Sequence, residues 1–537
     1  MAIKRLILLI PLVLICLACT RSKDPKLYDD VGVPAYGDTI ITASIGEPSN
    51  LIPILATDSP SHEVASFIYN GLVKYDKDLK IIGSLAESWD ISKDNLSITF
   101  HLRKDVKWHD NTPFTAHDVM FTYRLITDPK TPTAYAGDFL LVKEAKVLDD
   151  YTFKVTYDKP FAPGLISWST AILPRHLLEG QDVTKSPLSR RPIGTGPYKF
   201  QEWIPGERIV LTANKDYFEG SPYISRYIMR IIPDTATMFL ELKRYGIDMM
   251  GLTPLQAVRQ TDYPAFKREF NKFRYLSFTY VYLGYNLKHQ FFKDKRVRQA
   301  ISYGIDKKEI IDGILLGQGV EADGPYKPDM WAYNGGVKKY PYDREKAMML
   351  LKEAGFNRGA DNILYKDGAP FEFTILVNQG NDVRIRCAEL IQKRLADLGI
   401  KVKIRVIEWA SFINEFIDKR NFEAVILGWS IPNDPDIFDI WHSSKQGKKE
   451  LNFISFENKE VDELLVRARH TLNMEERKRY YHRIQEILAE EQPYTFLFVP
   501  YANVTIHKRF KGIEPAPAGL MYDFIKWYVP EKQMRYR

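Results

Sequence analysis

The residue types that carry most covalent and metal chemistry are sparse in this chain: three cysteines and ten histidines among 537 residues. Cys16 and Cys19 form a CxxC, a spacing used by redox pairs and zinc half-sites, but Cys387 is the only other cysteine and completes neither. His109 and His117 lie within the run WHDNTPFTAHD, where a metal is conceivable, yet each has an aspartate neighbour able to satisfy its ring. Gly194-Thr195-Gly196-Pro197 is a glycine turn. A phosphate-cradling loop needs a third glycine and a following helix, and here a proline and an aromatic follow, so a structural turn is expected. Asp434 and Asp436 flank Pro435; a turn leading into a helix N-cap, or a ligand contact, would use them. GxSxG, HExxH and GxxxxGK[ST] are all absent. The expectation is a protein without catalytic residues, metal or cofactor, and not an enzyme.

The N-terminus reads as a targeting device. Lys4 and Arg5 precede residues 6–18, an apolar stretch of 13 residues interrupted by Pro11. A bilayer-spanning helix needs roughly 20 residues, so this is the pattern of an export signal. Ala18 directly before Cys19 resembles a bacterial lipobox, with Cys16 where leucine is usual. The resemblance implies cleavage before Cys19 and a lipid on its thiol. Residues 19–38, polar and broken by Pro25, Gly32, Pro34 and Gly37, then form the anchor and a tether. On this reading the CxxC straddles the cleavage site, which leaves Cys387 as a lone thiol. The formal charge of +7 loses two units with the signal, and acids and bases are interspersed throughout. No like-charge run suits nucleic acid.

Patterning along the rest predicts an α/β protein of several units. Thr39 to Ala43 reads as a buried strand. Leu96, Ile98, Phe100 and Leu102 alternate, as do Tyr151, Phe153, Val155 and Tyr157, with a helix over 116–126 between them. The second half is more regular. A strand (Phe371, Phe373, Ile375, Val377) leads to a helix over 382–398 closed by Gly399, and a second strand follows (Val402, Ile404, Val406). A short helix over 413–418 precedes a third strand over 423–428, and Asp343 caps a helix upstream. Strand–helix–strand with short connections predicts a parallel βαβ unit. Ligands of open α/β sheets sit beyond the carboxyl ends of the strands. Those ends are Asn378-Gln379-Gly380, Glu408-Trp409 and Gly428-Trp429, two of which carry a tryptophan.

Several segments, in order, resemble the extracellular solute-binding proteins of the oligopeptide, dipeptide and nickel type. They are GEPSNLIP (46–53), IYNGLVKYD (68–76), LAESWDIS (85–92), ITFHLRKDVKWHDNTPFTAHDVMFTY (98–123), ILPRHLL (172–178), GTGPYKF (194–200), YLGYNLKHQFFKDKRVRQAISYGIDKKEII (282–311) and GWSIPNDPDIFDIWHSS (428–444). The resemblance implies a two-lobed binding-protein fold of the large three-region class, with a mixed sheet in each lobe. Lobe I would comprise 39–60, 186–277 and 505–537, an extra α+β region 61–185, and lobe II 278–504, hinged on two linking strands. It implies a monomeric substrate-binding component of an ABC importer, lipid-anchored at the periplasmic or outer cell surface, that passes peptides to permease subunits. Ligand contacts would fall on Thr57, Asp58, Tyr282, Trp409 and Trp429. Peptide binders of this kind often carry an aspartate soon after the GW pair, against the peptide α-ammonium. Here the loop is short, Ile431 and Pro432 take that place, and Asp434 is the available substitute. The alternatives are a non-peptide solute such as a metal chelate or sugar in the same fold, or a surface adhesin or chaperone-like lipoprotein.

Overall fold

The computed structural model describes residues 31–536, so the expected signal segment and the expected lipidation site Cys19 lie outside the described residues. Three larger sheets organise the rest. In the first, the strand Gly37–Ser44 pairs in parallel with Ile224–Ile231. That strand continues antiparallel to Arg208–Ala213, which pairs with Tyr198–Ile204. The second sheet is an antiparallel set ordered Ala86–Ile91, Ser97–Leu102, Thr152–Tyr157, Val142–Asp149. Its two central strands bury alternate residues, as their period-two patterning predicts. A single hydrophobic cluster runs from Ile40 and Leu211 in the first sheet to Phe100, Phe153 and Trp168 around the second, and on to Phe510 and Trp527.

The third sheet holds the predicted βαβ unit. Glu372–Asn378 and Lys401–Ile407 pair in parallel, Glu372 opposite Lys401 through Asn378 opposite Ile407. Ala424–Ser430 joins in parallel on the other side of Glu372–Asn378. The crossover helix Asp382–Asp397 is capped by Asn381, whose side chain accepts from the Arg384 N–H at 3.0 Å. It buries Cys387, Ala388, Ile391 and Leu395, and Gly399 ends it at φ +86°. Both faces of the central strands are covered. Leu283, Phe373, Ile375 and Ile426 point into one cluster, and Tyr282, Leu376, Val425 and Leu427 into the other. Val406 departs from the expected alternation and is 46% exposed, since Lys401–Ile407 lies at the edge of the sheet.

Burial makes the Cys387 thiol a packing group: it is fully enclosed and pushed up to about 12. In protein lacking residues 1–19, a thiol reagent at pH 8 is expected to leave folded protein unlabelled and to modify one site per chain in guanidinium. Rapid stoichiometric labelling of the folded protein would contradict this burial.

One strand joins the architecture together. Tyr494–His507 pairs through Tyr494–Phe498 with Thr279–Tyr285 and through Tyr501–His507 with Phe270–Leu276. The chain therefore crosses between the two halves at 276–279 and again at 498–501. At the far end of this strand the buried Arg509 contacts Asp38 and lies 2.8 Å from Asp248. That cluster ties the first strand to the C-terminal segment.

Candidate functional site

The carboxyl ends of Lys401–Ile407 and Ala424–Ser430 open onto a cavity of about 760 Å3. Its far wall comes from the other half: residues 57–62 at the start of the helix Ser59–Ile68, and residues 135–170 of the second-sheet region. This is where strand-end ligands sit in α/β sheets, and the volume is in the range of small-molecule and cofactor sites.

Trp409, Trp429, Thr57, Asp58 and Asp434 all line this cavity. Trp409 opens a helical segment whose first N–H groups are capped by the Glu408 carboxylate at 2.8 and 2.9 Å. Its ring lies parallel to Phe412 and against the backbone of Gly46 from the other half. Trp429 donates its indole N–H to the Tyr494 hydroxyl at 3.1 Å and packs on Phe453. Asp58 is occupied structurally: it caps its helix by accepting from the Ser61 N–H at 3.0 Å, and both Ser61 and Ser49 hydroxyls bond to it.

Tyr282 lies elsewhere. It is 0% exposed and stacks on Tyr494 with centroids 3.9 Å apart. The resemblance implied a ligand contact here, but its strand is central and covered on both faces, which leaves this side chain inside the core. Through Tyr494 it supports Trp429 from beneath. Asp434 is also engaged. Arg477 grips it with two hydrogen bonds of 2.9 and 3.1 Å, and it accepts from the Asp436 N–H. Asp436 in turn accepts from the Phe438 N–H at 3.1 Å. The DPD run is thus two successive aspartate-stabilised turns leading into the helix Phe438–Trp441.

The other candidates are structural. The His109 ring is clasped by the glycine turn, with Nε2 3.0 Å from the Gly196 carbonyl and Nδ1 accepting from the Gly194 N–H at 3.3 Å. Burial lowers it to about 4. Its expected partner Asp110 pairs instead with His176 at 2.7 Å. A side chain on Gly194 would meet the Ile68 carbonyl, so this turn is glycine-rich to permit close backbone approach. His117 faces Asp150 at 3.4 Å. Among the described residues, no group of three or more histidine, cysteine, aspartate or glutamate side chains is placed to hold a metal ion.

Patterning missed a charged network on the cavity wall. Arg469, 3% exposed, bridges Asp138 at 2.9 Å and Asp436 at 2.7 Å, with Phe438 under its guanidinium. Lys445 lies 3.1 Å from Asp439 and 3.7 Å from Glu450. With Arg477 on Asp434, three cations serve five carboxylates. One signal was present. Arg469 follows Val461 and Leu465 at four-residue steps on the buried face of the helix Lys459–His470, and Arg477 precedes Tyr481, Ile484 and Leu488 on the buried face of Met474–Glu491. A cation within an apolar stripe calls for a buried anion. Asp138, on a four-residue helix, gave no such sign.

The shortage of positive charge appears in the acids. Burial pushes the Asp138 carboxyl up to about 7, overriding Arg469, whose single charge is shared, while Asp436 and Asp439 repel it. Asp439 is raised for the same reason. An unfolded aspartate titrates near 4, so between about pH 4 and 7 the folded state holds the extra proton. Stability contributed by this group therefore falls as pH rises through that window. Asp138→Asn is expected to flatten that fall, seen in urea midpoints at pH 5 and pH 8. An unchanged pH slope would remove Asp138 from the account.

Residues 80–450 match the family described as bacterial extracellular solute-binding proteins, family 5 Middle. The chain belongs to that family. This family 5 chain is 35% identical over 544 residues to the oligopeptide-binding protein AppA of Bacillus subtilis (strain 168), covering 98% of each. The structure of that AppA with a nonapeptide superposes with a TM-score of 0.88 at 33% identity, over 93% of this chain and all of the other. NikZ from Campylobacter jejuni with Ni(L-His) gives 0.83 at 32% identity, covering 91% and 99%. The ABC transporter-associated DppA from Helicobacter pylori with the peptide STSA gives 0.84 at 29%, covering 93% and 99%. The two-lobed binding-protein fold expected of a family 5 member is thus borne out. Among the described residues, no helix is long and apolar enough to cross a membrane.

Proposed function

We propose that this protein captures short peptides in the cavity between its two halves and delivers them to an ABC permease, without chemical turnover. The charge balance of the cavity wall carries the reading. Seven carboxylates line the cavity (Asp58, Asp138, Asp418, Asp434, Asp436, Asp439 and Glu450) against four cations that line it or pair with them (Arg469, Lys449, Lys445 and Arg477), which favours a ligand that brings positive charge, and the α-ammonium of a peptide supplies it. The ammonium goes to the wall of Asp138, Asp436 and Asp439, where Arg469 is divided between two carboxylates, rather than to Asp434, both of whose oxygens bond to Arg477. Trp409 and Trp429 provide apolar faces for varied side chains, and Thr57 faces them. Asp58 and Tyr282 position, respectively, the helix start and Trp429. Main-chain groups at the strand ends bind the peptide backbone without reading its sequence. The relatives that hold a nonapeptide and the peptide STSA support this class of ligand.

The crossings at 276–279 and 498–501 serve as the hinge between lobe I with its extra region and lobe II, and ligand shifts the population towards the closed form. A micromolar dissociation constant, about −8 kcal/mol, suits capture followed by release. The protein acts as a monomer held at the membrane by a lipid on Cys19. A second reading, a chelate or other non-peptide solute, is favoured by the engagement of Asp434 and by the relative that holds Ni(L-His). Native mass spectrometry of protein lacking residues 1–19 separates them. A ladder of co-purified short peptides is expected; one non-peptide mass, with no response to peptide mixtures, would sink peptide capture.

A further inference from the structure

Outside the two crossings, the halves of the molecule also meet along the cavity wall. Arg469, on the helix Lys459–His470 of the second half, reaches Asp138 of the first at 2.9 Å. The next residue, His470, places Nδ1 2.9 Å from the Pro160 carbonyl. The short helix Ala136–Phe139 that carries Asp138 is closely seated: a side chain on Gly137 would meet the Asp439 carboxylate and the Lys445 ammonium. No strand of the second sheet pairs with the third, so this contact is made without strand pairing.

The charges at this contact do not balance. On its own half Asp138 faces the Ser167 hydroxyl and the Tyr157 phenol. From the other half it faces Arg469, Asp436 and Asp439, with Lys445 and His442 in the same cluster. Arg469 is shared with Asp436 at 2.7 Å, and Lys445 is taken up by Asp439 and Glu450. Closing the halves therefore carries Asp138 out of water and against two further carboxylates, with a shared guanidinium in return. A carboxyl so placed closes more readily with its proton than without it.

We propose that this contact is a proton-linked latch: the halves close over the cavity with Asp138 protonated, and loss of that proton releases the helix Ala136–Phe139 from the helix Lys459–His470. The inference rests on the hinge motion proposed above and needs no bound ligand. With the halves apart Asp138 faces water, where an aspartate titrates near 4. With them together, burial raises it to about 7. Closing takes up a proton between these values. The closed form is favoured fully below about pH 4, and that advantage is lost as pH rises through about 7.

Double electron–electron resonance tests the latch on ligand-free protein lacking residues 1–19, with spin labels on Lys130→Cys in the first half and Glu475→Cys in the second. Both positions are exposed, and the buried Cys387 stays unlabelled. The closed-to-open ratio is expected to fall by about tenfold or more from pH 5 to pH 8. Asp138→Asn should stay closed at both pH values. Gly137→Leu should stay open at both, because its side chain keeps the short helix from seating. His470→Gln keeps a donor for Pro160 but cannot titrate, and should follow the wild type. A wild-type ratio independent of pH, or a pH response that survives Asp138→Asn, would overturn the latch. So would a response lost in His470→Gln, which would assign it to that histidine. One distance at every pH, unchanged by a peptide mixture and by Gly137→Leu, would overturn the hinge motion and the latch with it.

Discussion

Arg509→Met is expected to destabilise the protein by about 3–5 kcal/mol and to lower the first melting transition by about 10 °C. The side chains of Arg509, Asp38 and Asp248 are at most 1% exposed. The guanidinium reaches both carboxylates and also donates to the Thr39 carbonyl at 2.9 Å. Asp248 accepts from the Ile41 N–H at 3.0 Å, and Asp38 from the Tyr536 N–H at 3.1 Å. Methionine fills similar volume but leaves two enclosed carboxylates with Arg535, 3.6 Å from Asp248 and more exposed, as the remaining paired cation among the described residues. Removing one partner of a buried ionic group leaves the other charge uncompensated, the costliest way to break it. Arg509→Lys keeps the charge without the fork and should fall between. Circular dichroism or calorimetric melting gives the answer; a shift under about 2 °C would mean the carboxylates relax to water at little cost.

The second large effect is on binding. Trp429→Ala is expected to weaken a captured peptide roughly 30-fold, on the order of 2 kcal/mol. The indole sits at the carboxyl end of Ala424–Ser430, held by Tyr494 and backed by Phe453. Its orientation is set before ligand arrives, so its apolar face costs little ordering on binding. Trp429→Phe keeps a ring but loses the anchoring N–H, and should retain most of the affinity. Titration of both variants with a peptide recovered from the native protein distinguishes the contributions. Loss of less than about twofold for the alanine variant would assign Trp429 to packing of the cavity rim alone.

Much of the second half was legible from local pattern. The helix Asp382–Asp397, its strands on either side and its terminal glycine all follow from periodicity and capping. Both tryptophans at the strand ends do line the cavity. Tyr282, a ligand contact by resemblance alone, is instead stacked on Tyr494 inside a strand buried on both faces. Asp434 was available to a ligand only so long as Arg477, 43 residues away, went unseen. His109 had a sequence neighbour that could satisfy it, but its partner is a carbonyl 87 residues on.

What the sequence by itself determined was the set of elements, the parallel βαβ unit, the family, and the general place of the cavity. These depend on short-range periodicity, capping and the rule that strand ends gather in one crevice. Tertiary structure alone decided which charges are spent and which are short: Arg469 shared by Asp138 and Asp436, and Arg477 closed on Asp434. Such pairings join residues far apart in the chain. Their energy depends on burial and exact distance, neither of which is written in the order of the residues.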